Sequence, residues 1–122
     1  MKLFRVSSED TPEDSLRAFL QAWVKEDWAD LNSRIQPSWR RAFDSDTKME
    51  TGLIEFMIHP GQTEALSEVM VEVHTTLVER VGDELASRRR DAVWRVIRER
   101  YNGSPDPDGR WGVNPFSGMR SM

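Results

Sequence analysis

Between Val69 and Ile97 apolar and polar residues alternate along two runs separated by Gly82-Asp83. Alternation at period two marks strands with one covered face, and a short glycine-containing break between them predicts a long hairpin. With Gly82-Asp83 as a two-residue turn, Val69 faces Val96, Val71 faces Trp94 and Val73 faces Ala92. The other side then sets Met70 against Arg95, Glu72 against Val93, His74 against Asp91 and Thr76 against Arg89. A slip of one residue would scramble both faces, so the pattern itself argues for this register.

The pattern before the hairpin has a different period. Thr11-Pro12-Glu13-Asp14 is a helix start: a capping hydroxyl, a proline at the first helical position and two acids at the positive end of the helix dipole. Leu16, Phe19, Leu20 and Trp23 follow at i, i+3, i+4 and i+7 as one apolar stripe. Asp27 caps a second, shorter helix reaching about Ile35, with Trp28, Leu31 and Ile35 on its apolar side, and Pro37 stops it. Ser38 starts a further turn carrying Trp39 and Phe43, and the polar stretch from Asp44 to Thr51 reads as a loop. Leu53 to His59 is a first strand, with Ile54, Phe56 and Ile58 on one face and Leu53, Glu55 and Met57 on the other; Pro60-Gly61 ends it. After a turn-rich loop from Asn102 to Gly109, Arg110 to Asn114 forms a short last strand with Trp111 and Val113 on one side. Two helices and then four strands predict an α+β fold, a single domain over residues 1–122 with its core at about 11–117.

That order, with Phe19-Leu20-Gln21-Ala22-Trp23-Val24-Lys25-Glu26-Asp27-Trp28-Ala29-Asp30-Leu31 at the front and Trp111-Gly112-Val113-Asn114-Pro115-Phe116-Ser117 at the end, resembles the NTF2-like (cystatin-like) superfamily. Many members open on an amphipathic helix, an acidic break and a second short helix, and close on a W-x-V strand. The resemblance implies a strongly bent four-stranded antiparallel sheet wrapped on a long helix, a cone whose mouth holds a small apolar ligand. It also implies dimerisation through the outer face of the sheet. It implies no single activity, because the fold hosts enzymes, transport factors and binding modules alike. Ketosteroid isomerase-like and dehydratase-like members use an acid inside the cone with a tyrosine or histidine partner. Here the only tyrosine is Tyr101, at the far end of a strand. The face expected to line the cone, Val69, Val71, Val73, Ala92, Trp94 and Val96, offers no acid, although Thr75, Arg88 and Arg90 form a polar rim nearer the turn.

Composition narrows the chemistry. The chain of 122 residues has no cysteine, which excludes disulfides and thiolate metal sites. Only His59 and His74 could supply imidazole ligands, and neither sits in a metal-binding spacing, so no metal and no cofactor are expected. A net charge of −4 argues against nonspecific nucleic-acid binding, and Arg88-Arg89-Arg90 reads as a solvated strand end. No apolar run is long enough to cross a membrane or to form a signal peptide, so a cytoplasmic location is expected.

Three sets of residues are candidates for function. His74 opposite Asp91 forms a weak catalytic candidate, a general base with its orienting carboxylate, against which stands an ordinary cross-strand charge pair. Phe19, Trp23, Trp39, Phe56, Val71, Trp94 and Trp111 form either a filled core or the wall of a pocket for a small apolar ligand. Met70, Glu72, Val93, Arg95 and Ile97 mix apolar side chains with one acid and one arginine on the outer face, a composition suited to a homodimer interface. The expected function is therefore a non-enzymatic binding or interaction module, dimeric through that face. The alternative is an isomerase- or dehydratase-like enzyme acting on an apolar cyclic substrate in the cone.

Overall fold

The computed structural model describes residues 11–39, 51–81, 86–100 and 103–118, with the side chains of Trp39 and Pro60 outside that description. Phe43, Tyr101, Gly82-Asp83 and all but Thr51 of the expected loop at 44–51 lie outside the described residues. Helix α1 spans Pro12–Lys25 and α2 spans Trp28–Ser33; a 3-10 turn covers Pro37–Trp39. Four strands follow: β1 Leu53–Ala65, β2 Met70–Arg80, β3 Ser87–Glu99 and β4 Arg110–Val113. They form one antiparallel sheet in the order β1-β2-β3-β4, strongly curled into a half-barrel against which the two helices pack.

The helix starts follow from their capping residues. Thr11 Oγ1 accepts the Asp14 amide at 3.1 Å, and Asp27 Oδ1 accepts the Asp30 amide at 3.2 Å. Between the helices the chain reverses at Glu26, whose φ of 58° is left-handed and whose amide bonds back to the Ala22 and Trp23 carbonyls. The reversal turns the apolar stripe of α1 onto the sheet, with Leu16, Phe19, Leu20 and Trp23 all buried.

The hairpin forms, but two residues out of the expected register. Val71 faces Val96, Val73 faces Trp94, Thr75 faces Ala92 and Leu77 faces Arg90. Pairing runs on to Arg80 with Ser87, and the Val81 amide donates to the Ala86 carbonyl at 3.0 Å. Residues 82–85 therefore connect the strands where a two-residue turn was expected. Because the shift is even, every side chain keeps its face while it changes its partner.

Strand β1 departs further from expectation. Pro60-Gly61 does not end it; the strand continues to Ala65 around an irregularity between Ile58 and Thr63, where five steps along β1 match two along β2. Proline, which has no amide hydrogen to donate, is tolerated at such a bulge, and Gly61 supplies a φ of 75° that other residues reach only with strain. A second bulge between Leu53 and Glu55 turns Leu53 into the core and leaves Ile54 42% exposed, reversing the expected placing of those two residues. Among the described residues no helix is long and apolar enough to cross a membrane.

Candidate functional site

The concave side of the sheet is filled. Phe19 meets the Trp94 ring edge-on with centroids 5.4 Å apart, and Trp23 meets it edge-on at 6.4 Å. All three are at most 1% exposed, and Val71 is buried in the same core. Even the indole nitrogens are satisfied: Trp94 Nε1 donates to Thr75 Oγ1 at 3.1 Å, and Trp23 Nε1 to the Thr51 carbonyl at 2.8 Å. The seven residues expected to wall one pocket are thus not brought around one void. Phe19, Trp23, Val71 and Trp94 occupy the space a ligand would need. Phe56 borders a groove of about 340 Å3 between α1 and β1, and Trp111 borders a separate cleft beside β4. Trp39 belongs to the 3-10 turn, and its side chain is outside the described residues.

Past the aromatic core, the same face does carry an acid. Glu79 is 3% exposed and accepts hydrogen bonds from Arg90 Nε at 2.7 Å, Arg88 Nη2 at 3.3 Å and Thr51 Oγ1 at 2.9 Å. Burial opposes its ionisation, but the hydrogen bonds from Arg90, Thr51 and Arg88 and the Arg90 charge outweigh it. The carboxyl is held below its ordinary range. The rim expected from Arg88 and Arg90 is therefore an ion-pair cluster, and its carboxylate is fully engaged. Nothing in the alternation singles out Glu79; only the true register, which runs β2 on to Arg80, places it opposite Arg88.

On the outer face the corrected register breaks up one candidate. His74 faces Val93, and Asp91 faces Thr76, so no His74–Asp91 dyad exists. A different chain of polar groups takes its place. Thr76 Oγ1 donates to Asp91 Oδ1 at 2.9 Å and lies 2.6 Å from His59 Nε2, whose hydrogen it accepts in that arrangement. Sequence reasoning missed it because the bulge that brings His59 alongside Thr76 follows from Pro60-Gly61, read as a strand end. Glu72 faces Arg95 directly, with Arg95 Nε 3.2 Å from Glu72 Oε2 within the same chain. Met70 pairs with Ile97 and His74 with Val93, while Met57, opposite Thr76, is 52% exposed. Met70, Glu72, Val93, Arg95 and Ile97 thus share one face, as their alternation requires.

A hollow lies at the β4 edge of the sheet. Arg34 to Gln36 run parallel to β4, with the Val113 amide on the Arg34 carbonyl at 2.9 Å and the Gln36 amide on the Val113 carbonyl at 3.1 Å. Only glycine fits at position 112, where a Cβ would stand 2.5 Å from the Gln36 Cα. Ser15 Oγ of α1 donates to the Trp111 carbonyl at 3.2 Å, and Arg98 lies over the Trp111 ring, 5.0 Å from its centroid. These contacts enclose a cleft of about 460 Å3, whose walls include Ser15, Ile35, Pro37, Glu99, Arg110 and Trp111. Glu99 is 4% exposed; it accepts from the Ser38 amide at 3.0 Å, Ser38 Oγ at 2.8 Å and Gln36 Nε2 at 2.8 Å. At the mouth, the exposed Arg100 pairs with the partly buried Asp106, whose carboxyl the Asp108 amide and the Arg100 guanidinium hold below its ordinary range. Among the described residues no cluster of three or more histidine, aspartate or glutamate side chains could hold a metal ion.

A curled antiparallel sheet with helices on its concave side defines an α+β protein of cone-like shape. No protein-family model and no curated protein matches the chain. Among solved structures it is similar to a SEC-C motif containing protein from Psychrobacter arcticus, with a TM-score of 0.66 at 14% identity. The match covers 97% of this chain and 67% of that one. At that identity the likeness shows a shared fold and nothing of the activity.

Proposed function

We propose that this protein is a non-enzymatic interaction module of the NTF2-like kind, working as a homodimer through the outer face of its sheet. One observation carries the reading: the outer face sets the partly exposed Met70 and Val93 beside the Glu72–Arg95 pair, with Ile97 already buried beneath, while the concave side is filled by Trp94. An acid and a base adjacent on one apolar face are self-complementary, since a two-fold axis sets each against its opposite on the second copy. A methionine and an arginine on such a face match the residue types enriched at interfaces. The isomerase or dehydratase reading draws no support from the site, because Phe19 and Trp23 pack directly against Trp94 and the acid on the rim, Glu79, is committed to Arg90 and Arg88.

The test is a double substitution, Met70→Asp with Arg95→Asp, followed by light scattering. Two-fold pairing of this face would set four new carboxylates together, so wild type should run as a dimer and the variant as a monomer with an unchanged circular dichroism spectrum. A variant that remains dimeric removes the outer face from the reading.

A further inference from the structure

We propose that the cleft beside β4 binds a small organic cation, a primary ammonium or guanidinium group on an apolar stem, with the Glu99 carboxylate as its counter-charge. The inference goes beyond the dimer and does not depend on it. Glu99 is almost wholly enclosed, and all three of its hydrogen bonds are donated to it by neutral groups: the Ser38 amide, the Ser38 hydroxyl and the Gln36 amide. A buried carboxylate is costly without an opposite charge, and no ion pair reaches Glu99 from the described residues. Beside it stands a second deficit: Gln36 is 2% exposed, and its Oε1, on the same amide group that bonds Glu99, has no hydrogen-bond partner. A buried carboxylate held only by neutral donors, beside an amide oxygen with no donor, suits a donor that carries charge.

The cleft supplies the space and the lining. Its volume of about 460 Å3 falls within the range of small-molecule sites. Ile35, Pro37 and the half-buried Trp111, whose ring already carries Arg98, offer apolar contact for a stem. Other charges line the cleft in both signs: Arg100 pairs with Asp106 and Arg34 with Asp30, while Arg110, opposite Glu99 in the β3–β4 ladder, and Asp108 add one of each.

Isothermal titration calorimetry with the full chain decides it, using phenethylamine and agmatine as cations and phenylacetate as the anion of matched shape. Both amines should bind saturably at millimolar concentration or below, phenylacetate should not, and Glu99→Gln should weaken the amines at least tenfold. The outer-face double variant should bind them as wild type does, which separates this inference from the dimer. Should Glu99→Gln fail to fold, the wild-type comparison still stands: amines must raise the melting temperature and phenylacetate must not. Absence of amine binding, equal binding of phenylacetate, or a folded Glu99→Gln with unchanged affinity would overturn the proposal.

Discussion

Trp94 decides what the interior of this protein is for. Its ring is fully buried, meets Phe19 and Trp23 edge-on, and hands its only donor to Thr75. Replacing it with alanine removes those contacts and leaves a void that the surrounding sheet and helix cannot close. Trp94→Ala should therefore cost about 3–5 kcal/mol of stability by urea unfolding. A loss near zero in a folded variant would mean that the ring walls an open pocket. The face that Trp94 takes is readable from the valines around it, since Val71, Val73 and Val96 alternate with polar neighbours. Its exact partners are not, because a tryptophan at an inward position is equally consistent with core and with cavity wall. The same limit applies to Glu79 and Glu99. An acid in a strand looks solvated until the partner that buries it, Arg90 across the sheet or Ser38 from a distant turn, is known.

At the scale of elements, capping chemistry is local and therefore legible: Thr11 and Asp27 cap the two helices where the sequence places them. Register is not local in the same way. It depends on the length of the connection between β2 and β3, and a shift of two residues leaves the inward and outward sets untouched, so the alternation cannot distinguish the two registers. That shift is what separates His74 from Asp91 and joins Asp91 to Thr76. Strand β1 shows the opposite error, with Pro60-Gly61 read as a stop where it forms a bulge. The backbone at Gly61 is left-handed, and a Cβ built there meets nothing within 4 Å. Gly61→Ala should therefore lose about 1–2 kcal/mol from backbone strain alone, with the fold retained. Thermal unfolding indistinguishable from wild type would show that β1 does not need the left-handed residue.

For the whole molecule, a filled concave side leaves the two proposed sites on its surfaces. The outer sheet face and the cleft beside β4 are separate places that share β3 but no side chain, and they can be altered independently. Fold class was accessible from the order of elements and from the resemblance it carries. The cleft was not, because its walls come from α1, the segment after α2, the end of β3 and β4, and only the parallel run of Arg34 to Gln36 along β4 brings them together. The dimer proposal is the claim on which the functional reading rests, and the absence of cysteine from the sequence makes a clean test available. A single cysteine placed at Val93, in the middle of the outer face, should oxidise readily to a disulfide-linked dimer on non-reducing gels. One placed at Val24, on α1 away from that face, should stay monomeric under the same oxidant. If the Val93→Cys chain remains unlinked, or both variants cross-link alike, the outer face is not where two copies meet.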